Sequence, residues 1–227
     1  MNNPDASSNP AENPTENPIP HRVGLDNPVV SRDLGWLGAG TLLAAVLAYG
    51  LMDYRVAVFV HSLPRGVREV ANQLTEFGQM NHYAWLLPLG VAVCWLLKQR
   101  TSAMWFLLAL AGTLGSGLLV NMLKIVFGRA RPSMLFELGE FGFGPIRLGY
   151  HHASFPSGHA ATVGALVAVL WLWWPKKWGL WLAIGIVIAL TRVFTLSHYV
   201  SDVLVGAYLG GLFTLLVHRA FVRHRLL

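Results

Sequence analysis

The chain has 227 residues, of which 54% are hydrophobic and only 12% charged, and its mean hydropathy is +0.49. So few charged side chains cannot coat a soluble globule of this size, so the composition points to a membrane protein and away from disorder, collagen-like repeats and coiled coils. The formal net charge is +6, and a single cysteine, Cys94, leaves no disulfide framework and no cysteine-based metal site.

Residues 1–33 contain five Asn-Pro pairs, from Asn3-Pro4 to Asn27-Pro28, and carry a formal charge of −3. Repeated prolines remove backbone donors and disfavour helix, and there is little apolar surface to bury, so a disordered tail is predicted. The tail has neither a basic start nor an early apolar core and does not read as a signal peptide. The membrane domain is predicted over residues 34–227, where 15 basic and 6 acidic side chains leave a formal +9.

Charge-free runs mark the spans. Leu34–Met52 is 19 residues long, Tyr83–Leu97 follows, and Thr101–Leu123 is 23 residues. Ala160–Trp174, Trp178–Leu190 and Val203–Val217 complete six predicted transmembrane helices. A bilayer core needs ~20 helical residues, so the last two reach that length only with Arg192 and Asp202 at or inside their ends. Between the first two spans, apolar residues from Val56 to Phe77 recur at three- and four-residue intervals, with Arg55, Arg65, Arg68, Glu69 and Glu76 between them. This pattern predicts an amphipathic helix on the membrane surface, bent at Pro64. Gly112, Gly115 and Gly117 are expected to let helices approach closely.

Lys98, Arg100, Lys176, Lys177, Arg219, Arg223 and Arg225 fall at one end of a six-span bundle, together with both termini. The positive-inside rule makes that end cytoplasmic. Lys124, Arg129, Arg131 and Arg147 then lie on the outer side, against the rule, and suggest an anionic ligand there.

Three clusters meet on that side: Lys124 with Arg131-Pro132, then Pro156-Ser157-Gly158-His159, then Arg192, His198 and Asp202. Lysine offers a point charge and arginine a fork for phosphate oxygens. Pro132 is expected to end the helix that carries Lys124. Ser157 and Gly158 stand at a helix start, where free N–H groups, a hydroxyl donor and close backbone approach suit an anion. His198 and Asp202 are four apart, so on a helix they share a face. A carboxylate accepting from Nδ1–H would free Nε2 as a nucleophile, and His159 would serve as general acid. Arg129 and Arg147 read equally as headgroup contacts or loop charges. His151-His152 lacks further ligands and is not read as a metal site.

These three motifs, in this order and spacing, resemble those of the type 2 phosphatidic acid phosphatase superfamily over about residues 34–218. Thr191 replaces the family's usual serine but keeps the hydroxyl. The resemblance implies an all-α integral membrane fold with a core shared with haloperoxidases. It also implies a phosphatase that needs no metal or other cofactor. Lys124, Arg131 and Arg192 would hold the phosphate in a cradle with Ser157 and Gly158. His198 would become phosphorylated, Asp202 would orient it and His159 would protonate the leaving group. The expected partners are the bilayer and a membrane lipid phosphate, with no nucleic acid. The expected location is a bacterial inner membrane with the site facing outward. The loop Ser133–Phe155, rich in Leu, Phe, Gly and Tyr, suits an acyl or prenyl chain. Phosphotransfer to a second lipid, and a non-catalytic phospholipid transporter or receptor, are the alternative readings.

Overall fold

The computed structural model describes residues 28–144, 146–147 and 149–227. Most of the Asn-Pro tail therefore lies outside the described residues. The first helix already begins at Pro28, before the expected boundary at residue 34. The regular elements among the described residues are all helical, with no strand.

Helix α1 (Pro28–Ala48) runs through one π-helical turn, Tyr49–Asp53, into α2 (Tyr54–Ser62). The three make one rod, Asp33–Ser62 counting as a single apolar helix of 30 residues. Residues 55–62 were expected to start the amphipathic helix and instead prolong the span. The chain breaks at Leu63, which is extended (ψ 151°) because the ring of Pro64 crowds the helical conformation of the preceding residue. The amphipathic segment is the shorter α3 (Arg65–Thr75), packed against the later helix Trp178–Phe194.

Four further long helices and one short one follow: α4 (Met80–Leu96), α5 (Arg100–Phe127), the short α6 (Pro132–Leu138), α7 (Gly158–Trp173), and then α8 (Trp178–Phe194). The last, α9 (Val200–Arg223), closes the bundle. Among the described residues, four stretches are long and apolar enough to cross a membrane: Asp33–Ser62, Arg100–Leu138, Pro175–Phe194 and Val200–Arg223. Helices α4 and α7 have 17 and 16 residues, short of the ~20 that a full span takes. Large apolar side chains such as Leu43, Trp85, Leu118, Met122 and Val187 point outward, as lipid contact requires. The chain is an integral membrane protein.

Helices α5, α7 and α9 pack on one another, with α1 against α9 and α4 against α5. Glycine sets the closest approaches: a Cβ at Gly210 of α9 would strike the carbonyl of Ala161 in α7, and one at Gly164 would strike Ala207. In α5, Gly112 faces Thr214 and Gly115 the Phe213 ring at distances that exclude a methyl, whereas Gly117 has only Met80 Sδ at 3.6 Å. Close packing thus holds for two of the three α5 glycines. Gly210→Ala should push α9 off α7 and lower the detergent-solubilised thermal midpoint by several degrees, while Gly117→Ala should leave it unchanged. Equal midpoints for the two variants would refute this packing account.

Candidate active site

Helix polarity gathers the chemistry at one end of the bundle. The last turn of α5 carries Lys124, α7 begins at Gly158, the last turn of α8 carries Arg192, and α9 begins just after His198. Gly128, not Pro132, ends α5: it is left-handed (φ +49°), and its N–H donates to the Lys124 carbonyl at 2.9 Å. A side chain there would strike the Gly144 carbonyl, so the turn requires glycine. Pro132 is instead the first residue of α6, where its missing N–H costs nothing.

A cavity of about 430 Å³ opens between these ends, lined by Lys124, Arg131, Gly158, His159, Arg192 and His198. Six of the eight expected site residues therefore share one cavity. Arg131 is fixed by its Nε–H donating to the Tyr150 carbonyl at 2.8 Å, with its guanidinium 3.8 Å from the Tyr150 ring centroid. Arg192 donates from Nη1 to Thr75 Oγ1 at 3.1 Å and leaves Nε without a partner. His159 Nε2 is also buried and unpartnered. Polar atoms stranded in this way are costly, and a bound anion would satisfy the Arg192 donor.

Ser157 and Asp202 take other places. Ser157 is fully buried and caps α7, its Oγ accepting from Ala160 N at 3.4 Å, while its own N–H donates to the Asp202 carbonyl at 3.0 Å. It therefore shapes the start of the helix, and Gly158 is the cradle residue that reaches the cavity. Nor do His198 and Asp202 share a helix face. His198 lies in the turn before α9, where its N–H donates to the Arg192 carbonyl at 3.1 Å, and Asp202 sits in the first turn of α9, accepting from Tyr199 N at 2.8 Å.

The Nδ1–H of His198 donates to the Ser154 carbonyl at 2.6 Å, with Asp202 Oδ2 farther off at 3.7 Å. The tautomer is set by Ser154, and Asp202 holds Ser154 in turn, accepting from Ser154 Oγ at 2.6 Å. This arrangement leaves Nε2 for chemistry. Burial holds His198 down to about 4, Asp202 pulling upward and Arg131 and Arg192 adding to the depression. The imidazole is therefore neutral at pH 7.

Behind the cavity lies a group the motif reading did not use. Arg129 is fully buried and pairs with Asp53 Oδ2 at 2.7 Å and with Asp202 Oδ1. It also donates to Ser201 Oγ at 2.7 Å. Asp53 in turn accepts from Ser201 N at 3.1 Å and Ser201 Oγ at 2.5 Å. The rings of Tyr49, Phe143 and Tyr199 surround the guanidinium, with centroids at 5.0, 4.9 and 4.3 Å. Arg129 is thus neither a headgroup contact nor a loop charge. The π turn in the first rod, an insertion that re-aims side chains, brings both Tyr49 and Asp53 inward. Sequence offered one clue, since Asp53 is the sole acid between Leu34 and Ser62. Phe141 and Phe143, in the loop between α6 and α7, cover this network, Phe143 tilted against Tyr49 and Phe141 edge-on to Tyr199. Arg147 and His152 meet at Glu140 near the surface; this loop pairing draws Glu140 below the ordinary carboxylate range, with the His152 hydrogen bond the largest cause.

Three cations and two imidazoles around one cavity, inside a membrane bundle, are the equipment of a phosphate-ester hydrolase. Residues 102–226 match the PAP2 superfamily, and the chain belongs to that family. It is 33% identical over 208 residues to a lipid A 1-phosphatase of Rhizobium etli, covering 86% of this chain and 88% of the relative. A lipid A 1-phosphatase of Rhizobium johnstonii is 34% identical over 201 residues, covering 82% and 80%. Two crystal structures share the fold. LpxE of Aquifex aeolicus has a TM-score of 0.55 at 18% identity, covering 73% of this chain and 93% of that one. A transmembrane PAP2-type phosphatidylglycerolphosphate phosphatase of Bacillus subtilis gives 0.56 at 20%, covering 84% and 96%. The protein is a membrane-embedded phosphomonoester hydrolase.

Proposed function

We propose that this protein removes the 1-phosphate of lipid A, or of a closely similar lipid phosphate, through a phosphohistidine on His198. The observation that carries the chemistry is His198 itself: a neutral imidazole on the cavity wall, clamped through Nδ1 by Ser154. Lys124, Arg131 and Arg192 hold the phosphate oxygens and draw charge off phosphorus. His198 Nε2 attacks phosphorus while the bond to the headgroup oxygen breaks, and His159 gives that oxygen a proton. A water molecule, losing a proton to His159, then attacks the phosphohistidine, and His198 leaves as free imidazole with release of inorganic phosphate. Gly158 keeps the wall low beside Lys124: a Cβ there would lie 3.5 Å from Nζ.

The substrate reading rests on the two relatives, each matched over most of both chains. Six spans in alternating directions fit the polarity of the helices, with α4 and α7 as short crossings. Such an arrangement puts both termini with the basic ends Lys98, Lys176 and Arg219 on the cytoplasmic side of a bacterial inner membrane, and the cavity on the outer side.

Purified protein should release phosphate fastest from lipid A when offered that lipid, phosphatidic acid, phosphatidylglycerol phosphate and undecaprenyl pyrophosphate, and chelator should leave the rate intact. A loss on chelation that a divalent cation restores would overturn the metal-free mechanism. Phosphate appearing on an added acceptor lipid instead of in water would favour phosphotransfer.

A further inference from the structure

The cavity has a second wall that phosphate chemistry does not use. Asn72, Thr75, Glu76 and Gln79 also line it. Asn72 and Thr75, three apart, share a face of α3; Glu76 begins the turn that continues the helix and Gln79 follows directly after that turn. Thr75 is tied to the phosphate side through Arg192 Nη1, so this face stands directly beside the cations. Glu76 is out of place in a phosphate site, since a carboxylate repels the dianion. It acts on Arg192 through space only, without a close ion pair. Its bonds go to His82 Nε2 at 3.2 Å and Gln79 Nε2 at 3.3 Å, and no ion pair joins it to Lys124, Arg131 or Arg192.

An ionised carboxylate only accepts hydrogen bonds, while amides accept and donate. A wall of one carboxylate and two amides therefore suits a partner rich in O–H and N–H groups. Phosphate oxygens offer none at neutral pH. Resting on the phosphatase reading above, we propose that Asn72, Glu76 and Gln79 form a headgroup subsite that recognises the hydroxyl and amide donors of a sugar phosphate. The phosphate turns toward Lys124, Arg131 and Arg192, and the sugar toward α3. Repulsion from Glu76 disfavours the reverse orientation, so the carboxylate contributes direction as well as hydrogen bonds. A diacylglycerol or prenyl leaving group carries no such donors and gains nothing from this wall.

The test compares Glu76→Ala, Glu76→Gln and Asn72→Ala with the unaltered protein on lipid A, phosphatidylglycerol phosphate and phosphatidic acid. Glu76 is half exposed, so these variants should fold, as a thermal midpoint would verify. Losing a donor–acceptor match to substrate lowers kcat/KM by about 10- to 100-fold. That loss is expected for lipid A with each alanine variant and less for Glu76→Gln, with no change on phosphatidic acid. A smaller loss on phosphatidylglycerol phosphate, with its glycerol hydroxyl, would agree. A loss equal on all three lipids, or a gain on all three from Glu76→Ala as a plain counter-ion would give, overturns the subsite. If unaltered protein releases phosphate from none of the lipids, the phosphatase reading itself fails, separately from the subsite.

Discussion

His198→Ala should lower phosphate release by about 10³-fold or more while the protein still inserts and binds lipid, because it removes the cavity imidazole whose Nδ1–H is anchored on the Ser154 carbonyl and whose Nε2 is the proposed nucleophile. A variant that kept ordinary turnover would remove the phosphohistidine from the mechanism. The same imidazole has a pH signature. Because burial holds His198 down to about 4, it stays neutral from pH 8 to about 5 and takes up its proton only as the pH falls through about 4. Histidine-selective NMR of the free protein would follow this directly. Titration near the ordinary 6.5 would show that burial does not govern the group.

Arg129→Ala carries the second large effect. The change strands two buried carboxylates, Asp53 and Asp202, whose side chains are wholly inaccessible. Removing one partner of a buried ion pair costs about 3–5 kcal/mol, and Ser154, which orients His198, loses the anchored Asp202 behind it. Thermal midpoint and turnover should therefore fall together, to the point of poor membrane yield. Arg129→Lys should be intermediate: lysine keeps the charge but not the planar fork that reaches both acids. An Arg129→Ala protein as stable as the unaltered one would show that the network adds nothing to the fold.

Much of this architecture was legible in the residues. Lys124, Arg131, His159, Arg192 and His198 stand at helix ends in an otherwise charge-poor chain, and each lines the cavity. Pro64 broke the amphipathic segment where proline chemistry says it should. What periodicity missed came from backbone details with weak sequence signals. The π turn at Tyr49–Asp53 shows no motif, so residues 55–62 read as the start of a surface helix. Gly128, which ends α5, was hidden by the more conspicuous Pro132. Glu76 counted as a solvent position of an amphipathic helix, because hydropathy cannot tell open water from a polar cavity.

The membrane class and the cationic, histidine-bearing site were written in local chemistry: apolar run length, charge placement, and motifs whose members lie within ten residues of one another. The partners of those groups were not. Asp53 meets Arg129 across 76 positions and Ser201 across 148, and His198 is oriented by a carbonyl 44 residues away. A backbone carbonyl is present at every residue and leaves no mark in composition or spacing. Which one a ring nitrogen meets depends on how the helix ends converge, and only the folded bundle fixes that.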